Sequence, residues 1–200
     1  MERIGIYGGT FSPPHNGHVH AARAFLTAFS LDRLIVIPTF IPPHKTRTEA
    51  TSPADRVAMC RLAFGEIPEA EISEMEILRQ GKSYTSDTLR ALSREGARLY
   101  FLCGTDMLLT LDTWHEPEVV FALADIVCMA REHDAAAYAR LEEKAREYED
   151  RFDARVHLLT AEPIEISSSE VRALRAVDGA WRETLPLPVA EYIESRGLYL

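Results

Sequence analysis

Lysine is scarce in this chain, with three in 200 residues, and 31 acidic against 22 basic side chains leave a formal charge of −9. That balance excludes a broad nucleic-acid surface, which needs a basic face to displace counterions. No apolar run approaches the roughly 20 residues of a membrane span, so no membrane partner is expected. Cys60, Cys103 and Cys128 lack C-x-x-C spacing and sit in apolar patterns, as reduced core thiols would. The opening Met-Glu-Arg leads straight into a strand and does not read as a signal peptide, so a cytoplasmic location is expected. Also missing is G-x-G-x-x-G, and the second strand ends at "IPTF" without the acid that would hold a ribose, which disfavours a dinucleotide oxidoreductase. A P-loop is excluded because G-x-x-x-x-G-K-[ST] does not occur.

What is present suits one domain over residues 1–200, with 46% apolar residues available for a sizeable core. Apolar runs at Ile4–Tyr7, Leu34–Ile37, Ala70–Ile77, Leu99–Cys103, Ile126–Met129 and Val156–Leu159 alternate with helical patterns. That alternation predicts an α/β fold built on a Rossmann-like, doubly wound parallel sheet. Ser52-Pro53 caps a helix to about Phe64, Ser86-Asp87 caps another to about Ser93, and Pro117 starts one before Asp125. The charged segment Asp134–Asp153 keeps Tyr138, Leu141, Ala145, Tyr148 and Phe152 at helical spacing and reads as a solvated amphipathic helix. Pro188–Arg196 reads as a last helix stopped by Gly197.

The densest signal is "RIGIYGGTFSPPHNGHVHAARAF", Arg3 to Phe25. A strand stops at Gly8 and Gly9, Pro13 and Pro14 forbid helix before them, and Asn16 is a good N-cap for the pattern His18, Ala21, Ala22, Phe25. Strand, glycine turn and helix N-terminus together make a phosphate site. His15 and His18, three apart, point the same way toward it, whereas His20 lies off that face. A metal reading of the three histidines is weaker, since no acidic or cysteine ligand is patterned nearby. Further polar clusters, "PPHK", "SYTSDT", "GTD" and "TWH", all follow strands, so in a doubly wound sheet they converge on one crevice.

"GGTFSPPHNGH" resembles the signature of the nucleotidyltransferase superfamily, and "ISSSEVR", about 150 residues on, resembles its second motif. With "PPHK", "SYTSDTL" and "GTDMLLTLDTW", nearly the whole chain resembles the bacterial nicotinate-nucleotide adenylyltransferases. The resemblance implies transfer of the adenylyl group of ATP to nicotinate mononucleotide, giving deamido-NAD and pyrophosphate in NAD biosynthesis. It gives ATP phosphates to His15 and His18, and the transferred group to the backbone at Gly8, Gly9, Thr10 and Phe11. Ser167, Ser168 and Arg172 become a second anion clamp; without the family match the serines would read as a helix cap. Gly104 and Asp106 are implied to hold the adenosine ribose, Trp114 to stack on the pyridine, and Tyr84 and Thr85 to meet the nicotinate carboxylate. Lys45 is the implied cation for the mononucleotide phosphate. Mg2+ is expected to arrive with ATP, held largely by phosphates and water. Two departures stand out: Ser12 where the family commonly has Asp or Asn, and His115 where tyrosine is frequent. Ser12 is expected to make the local turn bond in their place. Open alternatives are another adenylyltransferase, such as one acting on phosphopantetheine, and a non-catalytic nucleotide-binding regulator.

Overall fold

The computed structural model describes residues 1–42, 51–130, 135–160, 164, 166–177 and 179–200. The chain opens with β1 (Glu2–Gly9), α1 (Asn16–Phe29), β2 (Arg33–Pro38) and α2 (Pro53–Phe64). A short β3 (Ala70–Ile72), α3 (Met75–Arg79) and α4 (Thr85–Leu92) follow. Next, β4 (Ala97–Gly104) runs into α5 (Thr105–Leu108), a 3-10 turn at Leu111–Thr113 and α6 (Pro117–Leu123). The remainder is β5 (Ala124–Ala130), α7 (Ala135–Phe152), β6 (Val156–Thr160), α8 (Ser168–Ala176), a 3-10 turn at Trp181–Thr184 and α9 (Leu187–Arg196).

The six strands form one parallel sheet in the order β3-β2-β1-β4-β5-β6. The direction of winding reverses between β1 and β4, and the crevice beyond their C-terminal ends is where such sheets bind ligands. Both faces are covered, which is why β2 reads as an unbroken apolar run. Its alternate side chains divide between two cores: Leu34 and Val36 join Phe25, Met59 and Val189 from α1, α2 and α9. Ile35 and Ile37 join Leu89, Phe121 and Tyr148 from α4, α6 and α7.

The expected doubly wound sheet is present, and so are the helices begun by Ser52-Pro53 and Pro117 and the terminal helix stopped by Gly197, whose φ is +61°. The charged segment is α7, with Leu141, Ala145 and Tyr148 buried. Three local expectations change. The strand predicted over Ala70–Ile77 ends at Ile72; Ser73 still donates its N–H to Val36, but its hydroxyl then accepts from Met75 N, and the following good helix formers turn into α3. Thr85 rather than Ser86 begins α4, because the Ser86 hydroxyl is directed at Glu116 instead of capping. The N-cap of α1 is His15, not Asn16, whose side-chain amide donates to the carbonyl of Glu183.

Close helix-to-sheet approach sets the height of α1 above β1. A Cβ on Gly5 would lie 2.5 Å from Leu31 Cδ1 and 2.8 Å from Phe25 Cε1, inside a closed core. Gly5→Ala is therefore expected to cost about 1–3 kcal/mol of stability by overpacking, read from urea midpoints. An unchanged midpoint would mean that α1 rides freely on the sheet.

Candidate active site

One end of the candidate site is shaped by the loop from Gly9 to His15. Phe11, at φ +49° and buried, lays its ring where a Cβ on Gly9 would fall, 2.9 Å away. Glycine at that position thus serves the packing of Phe11. Phe11 meets Tyr7, Phe64 and His18 edge-on, so its side chain belongs to the core, not to the surface of the site. A Cβ on Gly17 would meet His15 Nδ1 at 3.0 Å and the Ile164 carbonyl at 3.2 Å, so the first turn of α1 also needs a bare backbone.

The rings of His15 and His18 lie 3.7 Å apart, as their spacing predicts. The His15 backbone N–H donates to His18 Nδ1 at 3.1 Å. His18, at the third helical position, thus takes the part that Glu or Gln plays in a capping box. With Nδ1 accepting, the neutral imidazole carries its proton on Nε2, an assignment made from the hydrogen-bond network. Burial lowers the His15 imidazole to about 4, against a smaller opposing pull from Glu170. Burial, joined by the neighbouring His15, holds His18 well below the usual range. Near neutral pH both are uncharged, and His18 offers an N–H donor.

The second motif folds onto this loop. Arg172 Nη1 donates to the Ser12 carbonyl at 2.6 Å and Nη2 to Ser169 Oγ at 3.0 Å. Ser168 Oγ donates to the Pro13 carbonyl at 2.8 Å. Ser167 caps α8: its hydroxyl accepts from Glu170 N, and Glu170 accepts from Ser167 N. Its side-chain oxygen is therefore occupied at the helix end. Ser12, expected to make a local turn bond, is buried, and its hydroxyl instead pairs with Tyr199 at 3.2 Å and reaches Thr51 at 3.5 Å. From α2 the buried Arg56 donates to the Thr10 carbonyl at 2.9 Å.

A cavity of ≈ 430 Å³ opens at the C-terminal ends of β1 and β2, and Gly8, Gly9, Thr10, Tyr84, Thr85 and Trp114 all line it. Nothing lies within 4 Å of where a Gly8 Cβ would stand, so the missing side chain is open space there. Trp114 leans edge-on against Phe101 at 6.2 Å, and His115 lies over Tyr84 with ring centres 4.2 Å apart. Next to these residues, Arg90 of α4 makes two 2.7 Å hydrogen bonds to Glu116, and Ser86 adds a third at 3.3 Å. The Arg90 hydrogen bond is the main reason that the Glu116 carboxyl falls to about 2.

Gly104 and Asp106 are exposed at the end of β4 and the start of α5, beside the cavity and not in its lining. Lys45 lies outside the described residues. Arg56, Thr39, Glu76 and the Arg90–Glu116 pair escaped sequence reasoning. Arg56 sits within a helical pattern where a charge reads as a solvated face, and Glu76 within the run Ala70–Ile77 that reads as a strand, yet both are buried. Thr39, in the cavity wall, has its hydroxyl buried without a partner among the described residues. At its anion end the site offers imidazole, hydroxyl and guanidinium donors, a set suited to anions. Among the described residues no three His, Cys, Asp or Glu side chains gather as a metal would require, and no helix is long and apolar enough to cross a membrane.

The cytidylyltransferase-like family model matches residues 6–174. A probable nicotinate-nucleotide adenylyltransferase of Desulfitobacterium hafniense is 39% identical over 201 residues, covering 99% of this chain and 96% of that protein. The protein of the same name from Symbiobacterium thermophilum is 38% identical over 203 residues, covering 100% and 96%. Among solved structures, the nicotinic acid mononucleotide adenylyltransferase of Plasmodium falciparum complexed with NaAD superposes with a TM-score of 0.75 at 19% identity, covering 100% of this chain and 98% of that one. That similarity speaks to the fold. On the sequence matches over its full length, the chain belongs to the cytidylyltransferase-like family and, within it, to the nicotinate-nucleotide adenylyltransferases.

Proposed function

We propose that the chain transfers the adenylyl group of ATP to nicotinate mononucleotide, releasing pyrophosphate and forming deamido-NAD for NAD biosynthesis. The observation that carries this reading is the docking of the Ser167–Arg172 motif onto the Thr10–His15 loop, beside a cavity walled by Trp114, Tyr84 and Thr85. An oxygen of the mononucleotide 5′-phosphate attacks the α-phosphorus in line; the new P–O bond forms as the bond to pyrophosphate breaks, and pyrophosphate keeps the electron pair. No covalent enzyme intermediate is needed, so the protein positions two anions and spreads the developing charge.

His18 is assigned to that charge through its Nε2–H, with His15 beside it on the ATP phosphates. The backbone from Gly8 to Phe11 is assigned to the transferred group. Arg172 uses one N–H on Ser12 and another on Ser169, and its remaining donors suit the β- and γ-phosphates. Ser168 and Ser167 hold that helix end in place. Gly104 and Asp106 are assigned to the adenosine ribose, Trp114 to stacking on the pyridine, Tyr84 and Thr85 to its carboxylate, and Lys45 to the mononucleotide phosphate. The divalent cation is assigned as Mg2+ entering with ATP and coordinated mainly by phosphates and water. Three free, buried cysteines suit a reducing compartment, and the cytoplasm is the proposed location.

His18→Ala is expected to keep the fold and lower turnover about 100-fold or more, the scale of one lost donor to a developing charge. Pyrophosphate release at saturating substrates reads this, and near wild-type turnover would remove His18 from its role. Arg172→Ala is expected mainly to raise the Michaelis constant for ATP; if that constant and turnover both stay put, the second clamp is wrong. For the pyridine end, hydroxyl and amide donors accept a carboxylate and leave an amide N–H unmatched. Nicotinate mononucleotide is therefore expected to be preferred over nicotinamide mononucleotide by at least roughly 100-fold in kcat/KM. Competition between the two with Mg-ATP measures it, and equal use of both would refute the donor-lined pocket while leaving the chemistry at His18 intact.

A further inference from the structure

One wall of the cavity carries a carboxyl group that adenylyl transfer does not require. Glu76, in α3, is buried and lines the cavity. Its Oε1 accepts a 2.6 Å hydrogen bond from the hydroxyl of Thr88, a buried residue of α4. That hydroxyl oxygen accepts in turn from Arg79 Nη2 at 3.2 Å, and the same guanidinium nitrogen stands 3.9 Å from Glu76 Oε1. Guanidinium, hydroxyl and carboxyl thus form a chain in which each donor polarises the next. Burial pushes the Glu76 carboxyl up, and the hydroxyls of Thr88 and Ser83 and the charge of Arg79 pull the other way.

Joining α3 to α4 does not call for this arrangement, since an apolar side chain of similar volume would do so without desolvating a charge. What a carboxyl adds is direction. The hydroxyl that donates to it belongs to Thr88, whose own N–H donates to the Tyr84 carbonyl at 3.3 Å at the start of α4, next to Thr85. Ser83 is further tied to the segment after β2: its hydroxyl accepts from Phe40 N at 2.9 Å, and its N–H donates to the Ile41 carbonyl at 3.0 Å. Trp114 lines the same cavity. We infer that Glu76 is a positioning residue for the pyridine end of the site, which through Thr88 and the first turn of α4 holds Tyr84 and Thr85 at a fixed distance and angle from Trp114. The inference rests on the proposed function and adds a residue to it.

The test compares wild type with Glu76→Ala, Glu76→Gln and Thr88→Val, using pyrophosphate release to obtain separate Michaelis constants for nicotinate mononucleotide and ATP, with circular dichroism and thermal midpoints to verify folding. Glu76→Ala is expected to raise the constant for the mononucleotide about tenfold, the value of a hydrogen bond to a charged group. The constant for ATP should stay within about twofold. Glutamine can still accept from Thr88 and should restore most of the difference, and Thr88→Val should move the mononucleotide constant in the same direction as alanine does. A folded Glu76→Ala protein with an unchanged mononucleotide constant overturns the inference, and so does a parallel rise for both substrates, which a general loosening would give. Should Glu76→Ala not fold, the other two variants decide: Thr88→Val with wild-type constants overturns it. A wild-type chain silent with nicotinate mononucleotide and ATP overturns the proposed function and this inference with it, whereas an active wild type with insensitive variants overturns the role of Glu76 alone.

Discussion

The carbonyl oxygens of the loop between β1 and α1 need partners, and the chain supplies them from far away. Thr10 receives Arg56, 46 residues on; Ser12 receives Arg172 and Pro13 receives Ser168, 160 and 155 residues on. Buried peptide carbonyls without partners cost as much as lost hydrogen bonds, so a loop this deep stays in place only if such donors arrive. Two of the three are arginine side chains, and each bond to a charged donor contributes about 1.5–3 kcal/mol. Since α2 and α8 bring them, the loop acquires its shape only when these two helices, more than 100 residues apart in the chain, have packed on the same face of the sheet.

The electrostatics follow from that closure. A protein of formal charge −9 needs a locally receptive site for the polyphosphate of the proposed reaction, and the loop between β1 and α1 carries chiefly neutral dipoles. Burial keeps His15 and His18 uncharged, so the empty site does not hold a stack of like charges 3.7 Å apart. Donors fixed by the fold need little reorganisation when negative charge develops beside them. Arg172 is a fixed cation beside them, and its bonds to Ser12 and Ser169 restrict its rotamers in advance.

Much of this was legible in the sequence, for definite reasons. Strand runs covered on both faces are apolar throughout, so β1, β2, β4 and β5 stood out, and polar clusters after strands had to gather at one sheet edge. Tyr84, Thr85 and Trp114 do meet there. Less was legible where a tertiary partner overrode a local preference. Asn16 and Ser86 have the chemistry of caps but spend it on Glu183 and Glu116, and Ser12 turns from its own loop to Tyr199. The run from Ala70 to Ile77 breaks because Ser73 ends the ladder and α3 begins within two residues. Arg56 and Glu76 were invisible for a different reason: helical periodicity assigns Arg56 to solvent, Glu76 lay in a run read as a strand, and only the packed structure reveals the buried polar groups that they meet.

The two halves of the site are fastened by different kinds of bond. At the phosphate end the fastening at Thr10 is a buried guanidinium on a backbone carbonyl, a contact that mobile ions hardly reach. Near the cavity lined by Tyr84 and Trp114, α4 is joined to the start of α6 by Arg90 and Glu116, whose side chains remain 44% and 35% exposed. Interactions of that sort weaken over a Debye length of roughly 10 Å at 0.1 M salt and about 3 Å at 1 M. Rising ionic strength therefore weakens the Arg90–Glu116 pair more than the buried Arg56 contact at Thr10, which makes background electrolyte a dial on one of the two fastenings.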